Sequence, residues 1–212
     1  MDMIKRRKEA SSSIGYVFLF LIMMILVIIT MYMLQVAKLM THQHHVDDSL
    51  TDSVLASLVA DDVYYFETYE TTGTPVIRFR NVDESYNIFT DCMRDAVATT
   101  QDYYYNFTVD VFICYEVENG YATVTTYSGQ NGSKAVTSGR VGTVRAPTGE
   151  VVTETSAYGK VRFDIRSILD GSFITKTKDK KNHIYSGGKN VLPKRKFLFR
   201  RRRTKYASRI YL

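Results

Sequence analysis

The sequence predicts an α+β protein: a long N-terminal transmembrane-plus-stalk helix packed on a small antiparallel sheet domain, with one further helix. Three observations carry this prediction. Residues 14–34 form an apolar run in which Thr30 is the one clearly polar side chain. Apolar residues then recur from Val36 to Val59 at steps of mostly three and four, the spacing of one helix face. Farther on, residues 106–117 alternate apolar and polar ahead of Asn119-Gly120, which signals a strand entering a two-residue hairpin.

The apolar run comes first in the chain and organises the rest. As a helix rising about 1.5 Å per residue it reaches about 31 Å, close to a hydrocarbon core of about 30 Å. Helix is the form in which a single span satisfies its own backbone in lipid. A soluble helix seldom stays apolar on every face over such a length. A cleaved secretory signal is the competing reading. The run is longer than an h-region of roughly 7–15 residues, and Gln35-Val36-Ala37-Lys38 makes a poor cleavage site. Residues 14–34 are therefore read as a retained transmembrane helix. Residues 1–13 form a basic leader carrying Lys5, Arg6, Arg7 and Lys8, which places it in the cytoplasm. Ser11-Ser12-Ser13 offers side-chain oxygens to cap the helix start. The expected location is a single pass through the plasma membrane with an extracellular body.

Residues 35–70 read as an amphipathic stalk helix, closed by the glycine and proline of Thr71-Thr72-Gly73-Thr74-Pro75. Within it, His42 and His45 are i,i+3 neighbours, and His44 and Asp48 are i,i+4 neighbours. That spacing permits a metal ligand pair, but no further donors join it. The stretch is read as a solvated face above the membrane, with no metal and no cofactor expected.

Residues 71–170 read as the extracytoplasmic α+β domain. A short strand is expected at 76–79. A helix is expected at 83–99, with Asp83 and Glu84 in its first turn, where the helix dipole favours acids. Its apolar face is Ile88, Phe89, Cys92, Met93, Ala96 and Val97. The strand at 106–117 places Phe107, Val109, Val111, Ile113, Tyr115 and Val117 on one face, and 121–128 returns as its partner. Residues 150–156 and 160–165 complete the expected sheet. Cys92 lies on the apolar side of its helix, whereas Cys114 shares the more polar strand face with Thr108, Asp110 and Glu116. A disulfide between them requires helix and sheet to meet on that face, and the sequence leaves the pairing open.

Charge is distributed unevenly. The net charge is +6. Residues 176–212 hold fourteen basic side chains and one acidic, whereas residues 16–175 hold ten basic and nineteen acidic. Residues 171–212 are thus expected to form a basic tail, extended or disordered by self-repulsion. Lys194, Arg195, Lys196, Arg200, Arg201, Arg202, Arg203 and Lys205 form its densest part and are the candidate contacts for an anionic partner. Phe197 and Phe199 lie among them.

No GxSxG, P-loop, HExxH or dinucleotide glycine pattern occurs in the chain. Nothing in it argues for an enzyme. Asn106-Phe-Thr and Asn131-Gly-Ser fit the glycosylation sequon.

The basic leader, Gly15, the apolar run and the stalk from Val46 to Leu58 resemble the type IV pilin-like proteins. The resemblance is narrowest to the TadE/TadF-like pseudopilins of tight-adherence (Tad) pilus systems, in their Gram-positive form. It covers about the first 60 residues. It implies a prepilin peptidase cut between Gly15 and Tyr16 and packing of the apolar helix in a filament core. The family usually carries Glu at the fifth position after the cut, and this chain has Phe20. A charge left unpaired in an apolar bundle is costly, so either the chain is not cleaved or it sits where no neighbour requires the pairing, such as a filament tip or base, and a minor, tip or initiating subunit is the natural reading.

Two functional expectations follow. The first is a pilin-like structural subunit of a Tad or type IV pilus assembly or secretion system, working in adhesion. Its partners would be the membrane, other pilin-like subunits, the assembly platform and a prepilin peptidase, and it would enter a pilus. The second is a membrane-anchored extracytoplasmic protein whose basic tail binds anionic polymer: DNA, teichoic acid or lipid headgroups. Sequence-specific nucleic-acid recognition is disfavoured without being excluded, because a basic run carries no base readout.

Overall fold

The computed structural model describes residues 2–100 and 104–184. They form an α+β fold: a long N-terminal helix, two shorter helices and one five-stranded antiparallel sheet. Helix α1 (Asp2–Ser57) runs without interruption through the apolar run and into the head. No glycine or proline falls between Tyr16 and Ser57, so nothing in the sequence kinks it.

The helix ends earlier than the stalk periodicity predicts. Residues 58–61 leave the helix and pair with 78–80: Asp61 N donates to Arg78 O (3.0 Å), and Arg80 N donates to Val59 O (3.0 Å). Asp61 then starts α2 (Asp62–Thr72), its carboxylate accepting from Tyr64 N at 3.2 Å. Leu58 and Val59 continue the apolar spacing across the break, which hides it in the sequence. Gly73, at φ 69°, closes α2 with a bond to Tyr69 O. The strand expected at 76–79 reduces to a single bridge between Ala60 and Phe79.

Helix α3 (Val82–Ala98) lies one residue from its expected start. Asn81 caps it, its side-chain oxygen accepting from Asp83 N (2.9 Å) and Glu84 N (3.3 Å). Phe89 and Met93 are fully buried, one turn apart on its inner face.

The strands are β1 (Tyr104–Glu118), β2 (Tyr121–Ser128), β3 (Ser133–Arg140), β4 (Ser156–Arg166) and β5 (Phe173–His183), in the order β3-β2-β1-β4-β5. Asn119 (φ 50°) and Gly120 (φ 79°) make the predicted hairpin between β1 and β2, since its central residues need positive φ. Two strands are additions to the expected sheet. β3 is an exposed edge with little apolar alternation to reveal it. β5 occupies part of the stretch expected to be a disordered tail, and its full-length pairing with β4 corrects that expectation. Residues 150–155 form no strand beyond one bridge from Val151 to Arg145, and β4 begins at Ser156.

β1 does not keep one face. Its register against β4 slips between Tyr105 and Thr108, and again between Val109 and Val111. Each slip inserts an unpaired residue and exchanges the faces of the strand. Tyr104, Phe107, Val109, Phe112 and Cys114 therefore all meet the helices, although their numbering changes parity twice. Val111, Ile113, Tyr115 and Val117 turn to the opposite face. The single apolar face expected for β1 is thus divided between two cores.

The main core lies between the sheet and the helices. It joins Val46, Leu50 and Val54 of α1 to Phe89 and Met93 of α3, over Phe112, Cys114, Ala157, Val161, Phe163 and Ile165. A smaller cluster on the other face holds Ile113, Tyr115, Ala122 and Tyr158 beneath Ala146 and Val152. Cys114 is fully buried in the main core rather than on a polar face, and Cys92 is half-buried. Both thiols are free, so the pairing left open by the sequence does not form here.

Candidate functional site

The feature that stands apart from the packed head is residues 14–34 of α1. From Ile14 to Leu34 every residue is exposed, and this stretch gives the helix a mean hydropathy of 2.9 in its most apolar window. By length and composition it can cross a membrane. A helix that left this surface in water would lose the stabilisation of burial at about 25 cal/mol per Å² of apolar area. Gly15 and Tyr16, the candidate processing pair, lie inside this continuous helix. A Cβ on Gly15 would meet nothing within 4 Å, and Tyr16 is open to its surroundings.

The apolar stretch joins the head through side chains just beyond Leu34. Gln35 is buried, and its Oε1 accepts from the Ile168 amide at 2.7 Å. Lys38 Nζ donates to the Arg166 carbonyl at 3.3 Å. Farther along α1, Asp47 approaches Lys178 at 3.9 Å and Thr51 O accepts from Asn182 Nδ2 at 3.3 Å. These contacts run in order along both elements. β5 therefore runs in the same direction as α1 beside it, and the β4–β5 turn lies at the end nearest the apolar stretch.

The stalk histidines are not simply a solvated face. Tyr104 packs edge-on to His42 and stacks on His45, with centroids 5.5 and 6.0 Å apart. Its hydroxyl donates to the His42 carbonyl at 3.1 Å and lies 3.2 Å from His45 Nδ1. Burial pushes the Tyr104 hydroxyl up to about 12. Burial also lowers the His42 pKa below 6.5, with Lys38 and His45 adding repulsion. His44 alone is exposed. Among the described residues, no group of three or more His, Cys, Asp or Glu side chains is placed to hold a metal ion.

A cleft of ≈ 320 Å³ opens on the head beside Arg78, Arg80, Glu116 and Glu118. Its charged groups are committed to the fold. Glu116 Oε1 accepts from Phe79 N at 3.1 Å, and Glu118 accepts from the Tyr64 hydroxyl at 2.6 Å. Arg78 pairs with Asp61 at 3.0 Å and lies 3.6 Å over the Tyr64 ring. The arrangement ties α2 to the sheet. It presents no nucleophile with an adjacent base.

Lys194, Arg195, Lys196, Arg200, Arg201, Arg202, Arg203 and Lys205 lie outside the described residues. The junction residues Gln35, Lys38, Arg166 and Ile168 were not foreseen from sequence. The available signal was weak: Gln35 is the first amide after the apolar run, and Ile168-Leu169 is an apolar pair ahead of Asp170-Gly171. No family model, curated protein or solved structure matches the chain.

Proposed function

We propose that this protein is a pilin-like structural subunit, minor, tip or initiating, of a Tad or type IV pilus assembly or secretion system. One observation supports the reading above others. A single helix is exposed and apolar from Ile14 to Leu34 and is the principal core helix of a small antiparallel head from Val46 to Val54. Such a helix suits exchange between lipid and a filament core, because both bury the same apolar surface while the head stays outside. The leader would remain in the cytoplasm and the head would face outward.

N-terminal sequencing of the protein recovered from its own cells tests this reading. A chain beginning at Tyr16 supports processing and a filament subunit. A chain retaining residues 2–15 argues for a permanent anchor.

A second reading, binding of anionic polymer through the basic C-terminal region, gains one observation. Lys176, Lys178 and Lys180 share the half-buried side of the β5 edge strand, where Lys178 approaches Asp47 of α1 at 3.9 Å, so the basic character begins on a fixed scaffold partly turned to α1. Polymer binding that weakens steeply with salt would support it.

A further inference from the structure

We infer that the β4–β5 turn is a second membrane contact: Ile168, Leu169 and Phe173 seat in the lipid interface beside the end of the span. The inference rests on reading residues 14–34 as a membrane span. If those residues fill the hydrocarbon core, Gln35 marks its outer boundary. The Ile168 amide is bonded to Gln35 at 2.7 Å, which fixes the height of the turn. Ile168, Leu169 and Phe173 are 43, 54 and 55% exposed, a concentration of large apolar surface that a soluble turn has no reason to present.

The span records the same proximity. Met31, one turn before Gln35 on the same face, is 37% exposed, whereas the other large apolar residues from Ile14 to Leu34 range from 48 to 73%.

The surrounding chemistry suits the interface rather than the hydrocarbon. Lys38 caps the Arg166 carbonyl at 3.3 Å, and the Arg166 side chain beside the turn can extend its cationic end to phosphate while its stem lies along apolar surface. Tyr105 packs edge-on to Phe173 at 5.1 Å, and aromatic rings of this kind favour the headgroup level. Asp170 is the one acid in the turn, and its carboxylate accepts from Ser172 N (3.2 Å) and Ser172 Oγ (2.8 Å). A carboxylate that stays charged keeps the turn at headgroup depth. The occupant is the lipid of the same bilayer, because the patch is continuous with the span.

The test uses the full chain in vesicles of phosphatidylcholine and phosphatidylglycerol, with brominated acyl chains as quencher. In a Cys92→Ser background, a fluorophore is attached at I25C, L169C or V136C; all three sites are exposed, and native Cys114 is buried. Quenching at 25 and 169 but not at 136 is the expected result. Quenching at 25 alone, with 169 behaving like 136, overturns the inference and leaves the anchor standing. Quenching at all three overturns it too, since the whole head would then lie on lipid. No quenching at 25 overturns the membrane reading and the inference with it.

Discussion

Gly159 of β4 lies so close beneath Phe89 of α3 that a Cβ built on it would sit 2.7 Å from the Phe89 ring. The same Cβ would also lie 3.0 Å from Val54 Cγ2 of α1. Both helices thus come down on the sheet at the one β4 position without a side chain. Gly159→Ala must lift a helix or displace the ring. We expect a loss of about 1–3 kcal/mol, the usual cost of overpacking a filled core, read as a lower denaturant midpoint of the full chain in detergent.

The cysteines should differ sharply in reactivity. Burial pushes the Cys114 thiol far up from its ordinary value, and the thiolate is the reactive form. A maleimide should label half-buried Cys92 in the folded protein and Cys114 only after unfolding. A non-reducing gel should show no intramolecular crosslink, and equal labelling of both thiols in the native state would contradict this core.

Gln35 should matter more than an exposed stalk residue. Gln35→Ala removes the acceptor of the Ile168 amide, a bond contributing about 1 kcal/mol. Hydrogen exchange at Ile168 should accelerate about fivefold, whereas exchange deep in β4 should not change.

Glu116 gives a pH signature. Burial raises its pKa above 4.5, opposed by the Phe79 amide and Arg78. The folded state therefore holds this proton more tightly than the unfolded chain. Its contribution to stability is complete below pH 4.5 and is lost as pH rises through the folded pKa. Glu116→Gln keeps the acceptor for Phe79 N and removes the half-buried charge. Its melting temperature should exceed wild type at pH 7, and the advantage should shrink as the pH approaches 4.5.

His42 should act in the opposite direction. Its pKa lies below 6.5 in the fold, so the unfolded chain takes up the proton first. The stability it protects is complete above pH 6.5 and declines as pH falls toward the folded pKa. An NMR titration of the His42 ring in micelles should give a midpoint below 6.5.

Much of this architecture was legible from residue spacing. The apolar helix, α3 and the β1–β2 hairpin rest on local periodicity and each falls close to its expected place, whereas the amphipathic continuation holds only as far as Ser57. What escaped depended on distant partners. The break at 58–61 is made by pairing with 78–80, whose own sequence is unexceptional. β3 is exposed and therefore lacks the alternation that burial imposes. β5 carries lysines at Lys176, Lys178 and Lys180, which suggest a solvated tail until β4 is set beside it. In β1 the alternation from Phe107 to Val117 is unbroken, yet the inserted residue near Asp110 reverses its meaning. Cys114 was placed on a polar face for that reason. The junction was least legible, because it joins Gln35 to Ile168 across most of the chain.

One consequence of the unbroken helix is mechanical. From Tyr16 to Ser57, α1 has no residue that yields easily to bending, and its upper half is locked to β4, β5 and α3. It is a shaft with the head keyed onto it. Tilting or twisting the lower end must swing or turn the head by the same angle, and an axial pull must load the sheet in shear along β5. Any apparatus that grips the lower end therefore commands the orientation of the head directly, with no joint in between.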